Sequence, residues 1–122
     1  MKKIILFLLA ALLISVNCFA QSQSQQTSAL QGTWTLVAFL NDESSYTEQE
    51  LKAENFVASY TFSGNYVTIN NSSMIIGPVR FEPEGGYLKL IGENVVYLPY
   101  SLQENILILH EGNFAFIYRK DK

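Results

Sequence analysis

The chain holds one histidine, His110, and one cysteine, Cys18, and that scarcity decides most of the chemistry open to it. A metal site built on several histidines is excluded. A histidine-activated nucleophile would have to use His110. That residue follows Ile106-Leu107-Ile108-Leu109 and precedes Glu111-Gly112-Asn113, the position of a rim histidine where a strand meets its loop. Acidic residues are numerous, eleven in all, but Glu82, Glu84, Glu93, Glu104 and Glu111 fall in or beside turns, where charge is solvated. No glycine-rich phosphate loop is present. The expectation is therefore a protein that is not an enzyme, with no catalytic residues, no metal and no cofactor.

The first twenty residues read as a targeting segment. Lys2 and Lys3 give a basic start, Ile4 to Val16 form an apolar run broken only by Ser15, and Asn17-Cys18-Phe19-Ala20 ends on a small residue. This is the order of a secretory signal peptide cleaved after Ala20. The run is shorter than the roughly 20 residues that span a bilayer, so no membrane span is expected. An alternative places a lipoprotein anchor on Cys18, tethering the domain to a membrane by lipid. Either route gives an exported protein, periplasmic or extracellular. Loss of Lys2 and Lys3 with the leader takes the formal net charge from −3 to −5. That balance argues against nucleic acid, which is recognised by clustered Lys and Arg. A mature chain without cysteine must be held together by its core.

Any site must be positioned by the elements that follow. Residues 21–29 contain nothing to bury and are expected to be a flexible polar tether, with the folded domain over 30–122. Short apolar-rich runs then alternate with turn residues at nearly regular spacing, which predicts strands over 33–40, 56–62, 66–70, 74–82, 87–91, 95–102, 106–110 and 114–120. Phe56, Ala58, Tyr60 and Phe62 share one face, as do Val96, Leu98, Tyr100 and Leu102, the period of two of a sheet buried on one side. One helix is expected over 47–54. It has Thr47 as cap, Glu50 completing a capping box, Tyr46 and Leu51 as a hydrophobic staple, and Asn55 as the stop. Val37 and Phe39 are its candidate packing partners. Gly77-Pro78 and Pro99 each mark a bulge, a bend or an edge, so the barrel is expected to be incompletely closed. The predicted fold is all-β, an antiparallel up-and-down barrel of about eight strands with one short helix between strands 1 and 2.

Gly32-Thr33-Trp34 opens the first strand inside Leu30-Gln31-Gly32-Thr33-Trp34-Thr35-Leu36-Val37. A Gly-x-Trp at this point resembles the lipocalin and fatty-acid-binding superfamily, and more closely the small exported lipocalin-like domains of bacteria. The resemblance implies that Gly32, Trp34 and Arg119 close the barrel, the guanidinium packing over the indole where the last strand meets the first. Strict alternation, with Phe114, Phe116 and Tyr118 inward, sets Arg119 nominally outward, so a twist or bulge at the strand end would have to bring it in. The Arg-x-Tyr pair with which fatty-acid-binding proteins grip a carboxylate is absent.

Eight Phe, seven Tyr and one Trp, together with the resemblance, point to a non-catalytic envelope binding module. The expected ligand is a small apolar or amphipathic molecule held in the barrel mouth by Tyr60, Phe62, Tyr100 and Phe116. The same side chains could instead fill an eight-stranded barrel, whose interior is only wide enough for them. The alternative function is then a protein-interaction or inhibitor domain. The expected partners are a small hydrophobic ligand or an envelope protein, and not nucleic acid.

Overall fold

A computed structural model describes residues 23–72 and 74–122. The expected leader, its cleavage site and Cys18 lie outside the described residues. The elements are α1 (Gln23–Leu30), β1 (Gly32–Leu40), β2 (Ser45–Tyr46), α2 (Glu48–Ala53), β3 (Ala58–Ser63), β4 (Tyr66–Asn71), β5 (Met74–Glu84), β6 (Tyr87–Ile91), β7 (Val95–Gln103), β8 (Ile106–Glu111) and β9 (Phe114–Lys120). All strand pairs are antiparallel, and each strand from β3 to β8 pairs with the next in sequence. β1 pairs with β3 on one side and β9 on the other, from Trp34 opposite Lys120 to Leu40 opposite Ala115. These pairings close an eight-stranded barrel, with the two-residue β2 added beside the end of β1. The closure corrects the expectation of an incomplete wall. Gly77 and Pro78 are absorbed as a register shift between β4 and β5, and Pro99 sits opposite Tyr87 without interrupting β7. Only glycine fits at position 77: its φ is +110°, and a Cβ there would come within 2.7 Å of the Val67 carbonyl oxygen.

Alternation packs one face of every strand inward. Trp34, Leu30, Val67, Leu88 and Leu107 are fully buried, and Phe62 meets Phe81 edge-on with ring centroids 4.9 Å apart. Burying each of these large apolar side chains contributes on the order of 1.5–3 kcal/mol. The alternation breaks once. A register shift between Leu36 and Ala38 makes Val37 a bulge, so one extra residue reverses the parity of the rest of β1. Phe39, expected beside Val37, therefore turns inward with Phe116, while Ala38 and Leu40 face out with Ile117 and Ala115. Leu40, Ile108, Ala115 and Ile117 form a second apolar cluster on the outward side of β1, β8 and β9, with Val37 and Ile106 beside them.

The helix between the first two barrel strands has its expected ends. Thr47 accepts from the Glu50 N–H, the Glu50 carboxylate accepts from the Thr47 N–H, and both halves of the capping box are present. Asn55 stops it in the left-handed region at φ 57°. The Phe56 N–H bonds the Leu51 carbonyl and the Asn55 N–H that of Lys52, a Schellman closure. Leu51 is buried in the main core, where Phe39 and Tyr46 also pack. Tyr46 stacks on Phe39 with centroids 4.6 Å apart. Phe39 thus packs against the core cluster that includes Leu51, but from the inward face and not the expected outer one, whereas Val37 belongs to the outer cluster.

Residues 23–30, expected to lie almost wholly in a flexible tether, are helical. The composition is polar, but two side chains four apart, Gln26 and Leu30, share a helical face. Both are buried, Leu30 within the main core. The Gln26 side chain accepts a hydrogen bond from the Tyr100 hydroxyl. Gln23 donates to the Pro83 carbonyl, and Gln31 bonds both the N–H and the carbonyl of Gly64. The helix thus reaches β5, β7 and the β3–β4 turn, and it plugs one end of the barrel.

Candidate functional site

The plugged end is where closure by Gly32, Trp34 and Arg119 was expected. Trp34 is fully buried there, and its indole N–H donates to the Leu30 carbonyl at 2.7 Å. The cation over its ring is Lys120, whose Nζ lies 5.6 Å from the ring centroid. This corrects the placement of Arg119. Trp34 pairs with Lys120 and Thr35 with Arg119, and paired residues share a face, so Lys120 is inward and Arg119 outward. Gly32 has a direct reason to lack a side chain: at φ +116° its Cβ would meet the Lys120 Cε at 3.0 Å. The cation–π contact of Lys120 with Trp34 is worth about 0.5–2 kcal/mol.

The four expected ligand-binding residues part company. Phe62 and Tyr100 are 2% exposed and belong to the packed core, Tyr100 committed to Gln26. Tyr60 and Phe116 do line a recess at the open end, but its volume is only about 110 Å³. The Tyr60 and Tyr118 rings meet edge to face at 5.2 Å beneath it, and Asn70, Asn71 and Glu111 give its edge a polar character. Burial, reinforced by the Glu111 carboxylate, pushes the Tyr60 phenol up to about 12. Burial pushes the Tyr118 phenol up as well, with Tyr60 and Glu111 adding to the effect. Both rings are therefore neutral hydrogen-bonding groups at any physiological pH.

A larger recess, about 330 Å³, lies on the outside of the wall. Its floor is the outward face of β1 and β9 at Ala38, Leu40 and Ile117, with Ile106 of β8 alongside. β2 and Thr47 form its far side, and Arg119 is the charged side chain in its lining. The Val37 bulge creates this floor, because it turns Ala38 and Leu40 outward. The Arg119 guanidinium donates to the Glu48 carboxylate at 3.0 Å, and Lys52 Nζ lies 3.6 Å from the same oxygen. The hydrogen bond from Arg119 holds the Glu48 carboxyl below the usual carboxylate range; desolvation opposes it, and the charges of Arg119 and Lys52 add to the lowering. Sequence reasoning missed this recess. A signal for it was present in Ile106-Leu107-Ile108-Leu109, where an unalternating run makes both faces of the strand apolar.

His110 stands opposite Ala115 on the outer face, half-buried, and desolvation lowers its pKa. Among the described residues no cluster of three or more His, Cys, Asp or Glu is placed to hold a metal ion. No helix among them is long and apolar enough to cross a membrane. Comparisons with protein-family models, with curated proteins and with solved structures returned no match, so the reading of the site rests on its own geometry.

Proposed function

We propose that this chain is a non-catalytic, exported binding module for a small apolar or amphipathic molecule, held in the outer-wall recess rather than inside the barrel. One observation carries the reading: Phe62, Phe81, Leu88, Tyr100 and Leu107 are buried against one another inside the barrel, while about 330 Å³ of mostly apolar space stands open on the wall. Ligand pockets for small molecules begin near 300 Å³, and the 110 Å³ mouth recess is well below that. The leader read in the sequence supports export, and the exported lipocalin-like domains that the sequence resembles support a binding role. Displacement of the fluorescent probe 1-anilinonaphthalene-8-sulfonate by decanol tests it. Wild-type protein should bind the probe and release it to decanol, and Ala38→Phe, which fills the recess, should abolish both. Failure of wild-type protein to bind either compound, or binding untouched by Ala38→Phe and lost in Ala58→Phe at the mouth, defeats the proposal.

A second reading, a protein-interaction domain, has its own observation. Val57, Met74, Ile75, Val95, Val96 and Phe114 are each at least 40% exposed around the open end of the barrel. Exposed apolar side chains gathered at one end of a domain favour an interaction site. Under this reading a specific envelope protein copurifies with the chain, and Ile75→Asp abolishes the association without changing probe binding. Copurification indifferent to Ile75→Asp and Val95→Asp rules the rim out.

A further inference from the structure

We infer that the outer-wall recess selects an anionic amphiphile, the carboxylate of a single-chain molecule, with Arg119 exchanging Glu48 for the ligand headgroup. The inference rests on the recess being the binding site, as proposed above, and it names the chemistry of what enters. The only charge in the lining is the Arg119 guanidinium; every other lining side chain is uncharged. Arg119 stands two residues beyond Ile117 on the same outward face and directly opposite Ile106. A guanidinium is thereby fixed at one end of an apolar floor, so a molecule lying along that floor would present its headgroup to a cation. The planar fork of arginine is matched to two carboxylate oxygens, which gives preference for a carboxylate over a neutral group of similar size.

The Arg119 guanidinium already has a partner, and that partner explains how it can be released. Glu48 holds Arg119 by one hydrogen bond between side chains that are 37% and 55% exposed. Exposed pairs of this kind contribute little to stability, since water competes for both partners. Glu48 also has a second cation one helical turn away, Lys52, so it stays compensated when Arg119 turns to a ligand. Glu48 thus occupies the headgroup position as an internal carboxylate, and a ligand carboxylate can take over the same contact. Being held below the ordinary carboxylate range, Glu48 remains charged at neutral pH and competes throughout it.

The test compares decanoate with decanol, two ligands of equal tail, by isothermal titration below their aggregation concentrations. Wild-type protein should favour decanoate by about tenfold, the gain expected of a charge-assisted pair over a neutral contact. Arg119→Gln should remove the tenfold preference and bring the two ligands to equal affinity. Glu48→Gln should widen the preference for decanoate over decanol several-fold, because the internal carboxylate that competes for Arg119 is gone. Circular dichroism of each variant confirms the fold. Equal affinity of wild-type protein for both ligands, or a preference that survives Arg119→Gln, overturns the inference while the recess stands as the site. Absence of binding by either ligand overturns the recess itself, and the inference falls with it.

Discussion

The two ends of the barrel are built on opposite plans. At the plugged end a helix, an indole and an ammonium group meet: Leu30, Trp34 and Leu88 are fully buried, and the buried Gln26 side chain bonds the Tyr100 hydroxyl. At the open end, residues whose register turns them inward stay half in water, with Phe114 at 40%, Val96 at 45% and Met74 at 57% exposure. Burial stabilises in proportion to the apolar area removed from water. Stability is therefore concentrated at the plugged end, and the open end with its neighbouring wall can vary without unfolding the domain.

The contrast is broken most directly by truncating one large side chain at each end. Trp34→Ala removes a fully buried indole, its hydrogen bond to Leu30 and the seat of Lys120, and should cost about 3–5 kcal/mol in urea denaturation. Phe114→Ala, on a ring 40% exposed, should cost under about 1 kcal/mol. Equal losses would show that the ends are energetically alike.

The next effect appears in alkali. Tyr60 and Tyr118 lie beneath the mouth, and burial keeps their phenols protonated beyond the ordinary value of 10. The folded state thus binds those protons more tightly than the unfolded chain. Their contribution is fully present below pH 10 and is lost as the pH rises toward 12, the value to which Tyr60 is pushed. For Tyr60 alone the loss should reach about 2–3 kcal/mol. Titration of phenolate absorbance, compared with that of Tyr60→Phe and Tyr118→Phe variants, should show both of these tyrosines ionising late; their ionising near pH 10 would mean that water reaches both rings through the mouth.

How much of this was legible in the sequence differs by element, for physical reasons. The eight barrel strands were, because turn residues and the period of two are local signals, and so were both ends of α2, whose caps are specified by Thr47, Glu50 and Asn55. Closure at Trp34 was legible in kind but assigned one residue short. The inward set Phe116 and Tyr118 continues to Lys120 by simple alternation, while the resemblance pointed to Arg119. The Val37 bulge was invisible, since nothing in Leu36-Val37-Ala38 distinguishes an extra residue from a regular one, and with it went the outer recess. α1 was hidden because its burial depends on what the barrel offers: Gln26 is a core residue only where Tyr100 meets it.

That dependence gives a third comparison. Gln26→Ala removes the side-chain bond between α1 and β7 and should cost about 1–2 kcal/mol, the range for a buried hydrogen bond. The loss should appear in global unfolding, because the helix closes the core. A midpoint in urea indistinguishable from wild type would return α1 to the status of a tether.

The smallest effect belongs beside the open end and should be local. Thr47→Ala deletes a cap that serves both the Glu50 N–H and the Glu50 carboxylate. Such caps are worth about 1 kcal/mol. α2 is only six residues long, too short to persist without its ends and its one buried anchor, Leu51. Loss of the cap should therefore open α2 while the barrel stays closed. Hydrogen exchange should accelerate at Leu51, Glu54 and Phe56, whose N–H groups bond within the helix and its closure, and leave β6 to β8 unchanged. Because Thr47 lines the recess, the same variant should weaken decanol binding at the wall with little change in the urea midpoint. Acceleration spread evenly over the barrel would instead mean that the two regions unfold as one, and that the open side is no freer to move than the plugged end.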